Sequence, residues 1–157
     1  MNKVKIGLLS RGFTLIELLV VIAIIGMLAA ILTVAVNPAR QFAKARDADR
    51  ETDLIGILSA LMQYSSEHSG AYPDTDGDPD TSNFPTSLTC IGIGGGCFNL
   101  AGAGEIGDEI VPEYMAEMPM DPKDGTAEDT LYLIMVDGND RLVASASGET
   151  KEINYTQ

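Results

Sequence analysis

Histidine is nearly missing from this chain and positive charge is scarce. A single histidine, His68, leaves no histidine pair to hold a catalytic metal and no Ser-His-Asp set. The glycine-rich stretch Ile91–Gly96 lacks the Lys-Ser/Thr that a phosphate-cradling loop needs, so its glycines, 92 and 94–96, read as loop freedom. Ten Lys and Arg stand against 23 Asp and Glu, a net charge of −13 over 157 residues. The region 74–157 holds only Lys123, Arg141 and Lys151 against 17 acids. A surface of that sign repels phosphate backbones and anionic lipid, which argues against direct nucleic acid binding. Only two cysteines are present. Catalysis therefore finds little support, and the length bounds the chain at one modest domain.

One long apolar run is present. From Phe13 through Val36 the only charge is Glu17. A helix of that length spans roughly 36 Å, enough for a bilayer core. An acid there costs about 2.5–3.5 kcal/mol on insertion scales and marks a functional position whose partner must be named. If the chain is cut after Gly12, the freed backbone amine of Phe13 is that partner. Lys3, Lys5 and Arg11 form a short basic leader that stays on the cytoplasmic side, so the run points outward. A secretory signal fits less well, since its apolar core is about 7–15 residues long and ends at a small-residue cleavage site.

The segment Arg11-Gly12-Phe13-Thr14-Leu15-Ile16-Glu17-Leu18, followed by Leu19 to Gly26, resembles the leader-peptidase site and N-terminal helix of type IV pilins and type II secretion pseudopilins. The resemblance implies cleavage after Gly12, N-methylation of Phe13, and a role for Glu17 in assembly through a neighbouring subunit's amine. Loss of a twelve-residue leader with its three cations takes the charge from −13 to −16. The resemblance extends to Gly70-Ala71-Tyr72-Pro73 and to Pro119-Met120-Asp121-Pro122.

Beyond the apolar run, Leu54, Leu58, Leu61, Met62 and Ser65 recur at three- and four-residue steps, with Arg46, Asp47, Asp49, Arg50, Glu51 and Asp53 decorating the stretch before them. That is an amphipathic helix. Gly70 and Pro73 give its stop, so one stem from Phe13 to about Ser69 is expected, with His68 facing solvent in its last turn and a kink or a locally unwound stretch near 34–38 from Asn37-Pro38. Residues 71–130 read as a long irregular connection, with a short helix near Glu105–Glu117 interrupted at Pro112 and an extended stretch at 118–122. Strands at Leu131–Val136, Arg141–Ala146 and Lys151–Thr156, the first two joined by Asp137-Gly138-Asn139-Asp140, form an antiparallel meander. The fold class is α+β: a long N-terminal helix, apolar then amphipathic, packed through its Leu54/Leu58/Leu61 side on a small sheet, as in pilins. The chain divides into a leader (1–12), a membrane or filament-core helix (13–36) and a head outside the cytoplasm (37–157).

Cys90 and Cys97 enclose six residues. In an exported head a disulfide is the natural reading, contributing about 2.5 kcal/mol for so short a loop; free thiols and metal ligation are the alternatives. Asp74, Asp76, Asp78 and Asp80 alternate in a turn-rich loop and could converge on one calcium ion, but the EF-hand positions that need a glycine and a final acid hold Pro79 and Pro85, and a solvated acidic turn is the competing reading.

The resemblance thus implies a structural subunit that requires no cofactor, with calcium as an optional ligand. Its implied partners are identical or homologous pilin subunits, the prepilin peptidase and methylase, the inner-membrane assembly platform and the membrane itself. The precursor is expected in the inner membrane with its head outside the cytoplasm, and the assembled filament at the cell surface or in the periplasm. The competing class is a single-pass anchored binding module, calcium-dependent or not, that never polymerises.

Overall fold

The computed structural model describes residues 12–76 and 82–157, with the side chains of 34–36 left aside. The basic leader residues Lys3, Lys5 and Arg11, and the acids Asp78 and Asp80, lie outside the described residues. The chain forms two compact units, Met1–Gln41 and Phe42–Gln157.

In the first unit, helix α1 runs Leu15–Val36. Its stretch Leu15–Thr33 has a mean hydropathy of 3.0 and is wholly exposed, long and apolar enough to cross a membrane. A helix apolar on all sides needs lipid or other helices around it. The expected single stem is instead two helices. Asn37 adopts φ 42° and ends α1, and helix α2 starts at Pro38. Proline at the first position of a helix loses no hydrogen bond, because that N–H has no partner in any case. Asn37 also caps the new helix: its Oδ1 and its carbonyl both accept from the Arg40 N–H, at 3.3 and 3.1 Å. Of the kink or local unwinding expected near 34–38, the chain takes the second: the helix breaks at Asn37 and Pro38 begins a new one.

In the second unit, α2, which spans Pro38–Glu67, places Leu54, Ile57, Leu58, Leu61 and Tyr64 in the core, whereas Met62 lies on its exposed side. It stops where the sequence indicates. Ser69 and Gly70 both take positive φ, and the Gly70 N–H bonds the Ser65 carbonyl at 2.8 Å, capping the last turn.

The sheet holds β4 (Tyr132–Val136), β5 (Leu142–Ala146) and β6 (Ile153–Thr156), in the expected meander, and an unforeseen two-residue strand β1 (Thr89–Cys90) on the far side of β4. All pairs are antiparallel, with Tyr132 opposite Ala146 and Ala144 opposite Tyr155. Alternation sends Tyr132, Ile134, Ala144 and Ala146 inward to the α2 leucines, as period-two geometry requires. Of the short helix expected near 105–117, only a single turn forms. A small ribbon of β2 (Gly104–Glu105) and β3 (Asp108–Glu109) occupies its first part, and a single helical turn at Ile110–Tyr114 follows, with a cis Val111–Pro112 bond. Gly107 at φ 86° makes the tight reversal, which overrides the helix propensity of the flanking acids.

Cys90 and Cys97 are disulfide-bonded, with a 2.06 Å S–S bond. Two glycines inside that loop are there for close approach as well as freedom: a Cβ on Gly92 or Gly94 would lie 2.2 or 2.6 Å from the Glu128 carbonyl. The Gly94 N–H donates to that same oxygen at 2.8 Å.

Candidate functional site

The first site is the mouth of α1. Thr14 has extended backbone angles and caps the helix, as a hydroxyl residue does when its side chain replaces a missing intrahelical acceptor. Its N–H and its Oγ1–H donate to Glu17 Oε2 at 2.9 and 2.6 Å, and the Glu17 N–H donates back to Thr14 Oγ1 at 3.3 Å. This reciprocal capping box was legible as Thr-x-x-Glu and was missed by a reading that gave Glu17 only an intermolecular partner. Gly12 and Phe13 lie just ahead of it. Phe13 is 75% exposed, and a Cβ on Gly12 would meet nothing within 4 Å. Nothing inside the described chain requires glycine at position 12.

The second site ties α2 to the far end of the chain. Of the charges expected to decorate the helix, Asp47 and Arg50 are each only 2% exposed. Arg50 Nε donates to Asp121 Oδ2 at 2.5 Å, and its Nη1 to Asp47 Oδ1 at 2.8 Å and Glu149 Oε1 at 3.5 Å. Arg46 grips Glu149 through two parallel bonds, at 2.5 and 2.7 Å. Asp47 accepts the N–H groups of Glu149 and Thr150 at 2.7 and 2.8 Å and the Thr150 hydroxyl at 2.5 Å. The turn comes this close because residue 148 is glycine: a Cβ there would sit 3.0 Å from Asp47 Oδ1 and 2.1 Å from the Lys151 carbonyl.

Burial works to raise the pKa of Asp47, but the hydrogen bonds from Thr150, the backbone and Arg50 outweigh it and hold the carboxyl well below its usual range. Asp121 behaves alike, with Arg50 and the Lys123 and Asp124 N–H groups overcoming burial. Arg50 is driven further toward its charged form, first by Asp121. Asp53 goes the other way: burial raises it despite a 2.6 Å bond from the Tyr132 hydroxyl. Beside this clasp, Lys44, Asp47, Ala48, Glu51, Thr150 and Lys151 line a shallow groove of about 330 Å³, across which Lys151 pairs with Glu51.

His68 is not solvent-facing. Its ring stacks on Tyr64 at 3.9 Å, and its Nε2 lies 3.1 Å from Asp108 Oδ2. Ligand atoms of Cys90, Cys97 and Asp129 converge, but the disulfide has consumed the two thiolates a metal would use. Of the four acids considered for calcium, Asp74 and Asp76 are described; the Asp74 carbonyl accepts from the Gly104 N–H at 2.8 Å.

An apolar N-terminal helix, then an amphipathic helix laid on a small antiparallel sheet, defines a pilin-like α+β protein. Residues 9–33 match the family described as the prokaryotic N-terminal methylation motif. Over 82 residues, 51% of this chain, the sequence is 38% identical to two sequences of the type IV major pilin protein PilE1 of Neisseria gonorrhoeae, covering 47% and 43% of their lengths. The match thus spans less than half of each relative. No solved structure matches. The chain thus carries the N-terminal methylation motif and is similar, over about half its length, to type IV major pilins.

Proposed function

We propose that this protein is a structural subunit, made as a precursor, cut after Gly12, N-methylated at Phe13 and assembled into a type IV pilus-like or secretion pseudopilus filament. The observation that carries this reading is Glu17, one acid at the head of an otherwise apolar, wholly exposed helix, directly after an exposed Gly12-Phe13 pair. A glycine with no steric role inside its own chain fits a residue read by another protein, here the peptidase. Gly26 supports the same reading. It costs about 1 kcal/mol relative to alanine in mid-helix, and a Cβ there would meet nothing among the described residues, which fits close approach by a neighbouring helix. The pilin family is one of structural subunits, and we read this member as non-enzymatic.

In this reading residues 1–12 are the leader, 13–36 the membrane and filament-core helix, and 37–157 the head. The precursor sits in the inner membrane with its head outside the cytoplasm. Its partners are pilin subunits, the prepilin peptidase and methylase, and the assembly platform; direct nucleic acid binding is not part of the function. Calcium at Asp74, Asp76, Asp78 and Asp80 is the one ligand we propose, to be tested by whether millimolar calcium raises the melting temperature.

The capping contact favours a second reading, a single-pass anchored binding module, because Thr14 already gives the Glu17 carboxylate a partner without any neighbour. Intact mass decides between them. Filament protein beginning at Phe13 with one added methyl group, and an uncut, filament-free Gly12→Leu variant, are expected. Protein still starting at Met1, with no filament containing it, establishes the anchored module instead.

A further inference from the structure

Among the asparagines of this chain, Asn154 alone stands two residues before a hydroxyl residue with no proline between, in Asn154-Tyr155-Thr156. That tripeptide is the acceptor for N-linked glycosylation. The structure presents it well. Strand β6 is the edge of its sheet, hydrogen-bonded to β5 alone. Asn154 and Thr156 are exposed, whereas Ile153 between Glu152 and Asn154 is 3% exposed and Tyr155 is half-buried, so the two acceptor side chains share the solvent row that strand alternation creates. The side chains of Asn37, Asn83 and Asn99 are taken up by capping and loop hydrogen bonds, whereas that of Asn154 has none among the described residues. An edge strand also releases bonds to one neighbour only when drawn into another protein's cleft.

We propose that Asn154 is a site of N-linked glycosylation, its substrate a polyprenyl-diphosphate-linked oligosaccharide presented outside the cytoplasm. The proposal rests on the reading that places the head on that side of the membrane. In the transfer, Asn154 Nδ2 forms a bond to the anomeric carbon of the sugar while the bond from that carbon to the diphosphate oxygen breaks. The amide gives up one proton to a base of the transferase, and the polyprenyl diphosphate leaves with the electron pair. No redox change occurs.

The test is mass spectrometry of the protein purified from its native host, read on the tryptic peptide that begins at Glu152. An oligosaccharide increment on that peptide is expected, lost completely in Asn154→Gln and in Thr156→Ala, which keeps the amide but removes the hydroxyl. Protease treatment of spheroplasts run in parallel reports where the head lies. An unmodified peptide from a protease-accessible head overturns the glycosylation and leaves the export reading intact. A head that protease cannot reach overturns both, and an increment that survives Asn154→Gln places the sugar elsewhere and overturns this site.

Discussion

Thr14 and Glu17 hold one another at the mouth of α1, with Thr14 Oγ1 2.6 Å from Glu17 Oε2. The contact lets the cap and the charge of Glu17 be separated experimentally. Glutamine preserves a capping box but carries no charge. Glu17→Gln is therefore expected to insert and be cut normally, yet to give roughly 10- to 100-fold fewer filaments, the equivalent of one charge-assisted contact of about 1.5–3 kcal/mol. Thr14→Val, which loses the cap and keeps the charge, should cost about 1 kcal/mol of local helix stability and leave most filaments in place. Filament counts by electron microscopy in cells lacking the wild-type subunit give the answer; normal numbers for Glu17→Gln would sink the charge-pair mechanism.

Arg50 is the hub of the clasp. Arg50→Ala leaves Asp47 and Asp121 buried with their cation gone, at a cost of about 3–5 kcal/mol, and the melting temperature of the detergent-solubilised protein should fall by about 10 °C or more. Lys123→Ala, at an exposed cation, should stay within about 0.5 kcal/mol of wild type. Equal melting temperatures for the two variants would show that the buried network contributes little.

Acid should open the same clasp. The folded-state pKa values of Asp47, Asp121 and Glu149 are depressed, so their stabilising contribution is complete above the unfolded carboxyl values near about pH 4 and is lost as pH falls through the folded ones. Asp137, held at about 2 by Arg141, adds the same sign from the surface. Asp53, raised chiefly by burial, opposes them, losing stability as pH rises through its folded value. The expected profile of melting temperature is flat between about pH 6 and 8 and falls progressively below about pH 4. A maximum near pH 3 would contradict it.

The disulfide closes a separation of seven residues, for which chain entropy gives about 2.5 kcal/mol. Reduction should lower the melting temperature by several degrees, with thiol labelling of unfolded protein appearing only after reductant. Complete labelling without reductant would refute the bond.

Much of the fold was legible because its signals are local. The uninterrupted apolar run, the leucine spacing of α2, the Gly70 stop and the alternating strands each depend on near neighbours in sequence. The clasp was not legible, since Asp47 and Arg50 look like any exposed charges on an amphipathic helix until Asp121 and the Gly148–Thr150 turn arrive from far along the chain. The two-residue strand β1 has too few residues to show a period. The helix expected near 105–117 shrank to one turn at Ile110–Tyr114 because a reversal at Gly107 outranks weak propensity over so few residues. His68 was misread because its ring stacks on Tyr64 and meets Asp108 of the β2–β3 ribbon, which the sequence does not announce. Of the proposed processing and assembly site, Gly12, Phe13 and Glu17 stood out from the sequence, while the partnership of Thr14 with Glu17 was present there as Thr-x-x-Glu and overlooked.

The bonds from Asp47 to Glu149 and Thr150 join residues 102 and 103 positions apart. Contacts so distant along the chain form only after the intervening segments have collapsed, because loop closure must be met before they return any energy. During synthesis α1 is complete long before Glu149 exists, so the apolar helix is made well ahead of the fastening that finishes the second unit. A ribosome stalled before residue 149 would leave the buried arginine of α2 without its last ligands, and such a chain would be an early target for quality-control proteases.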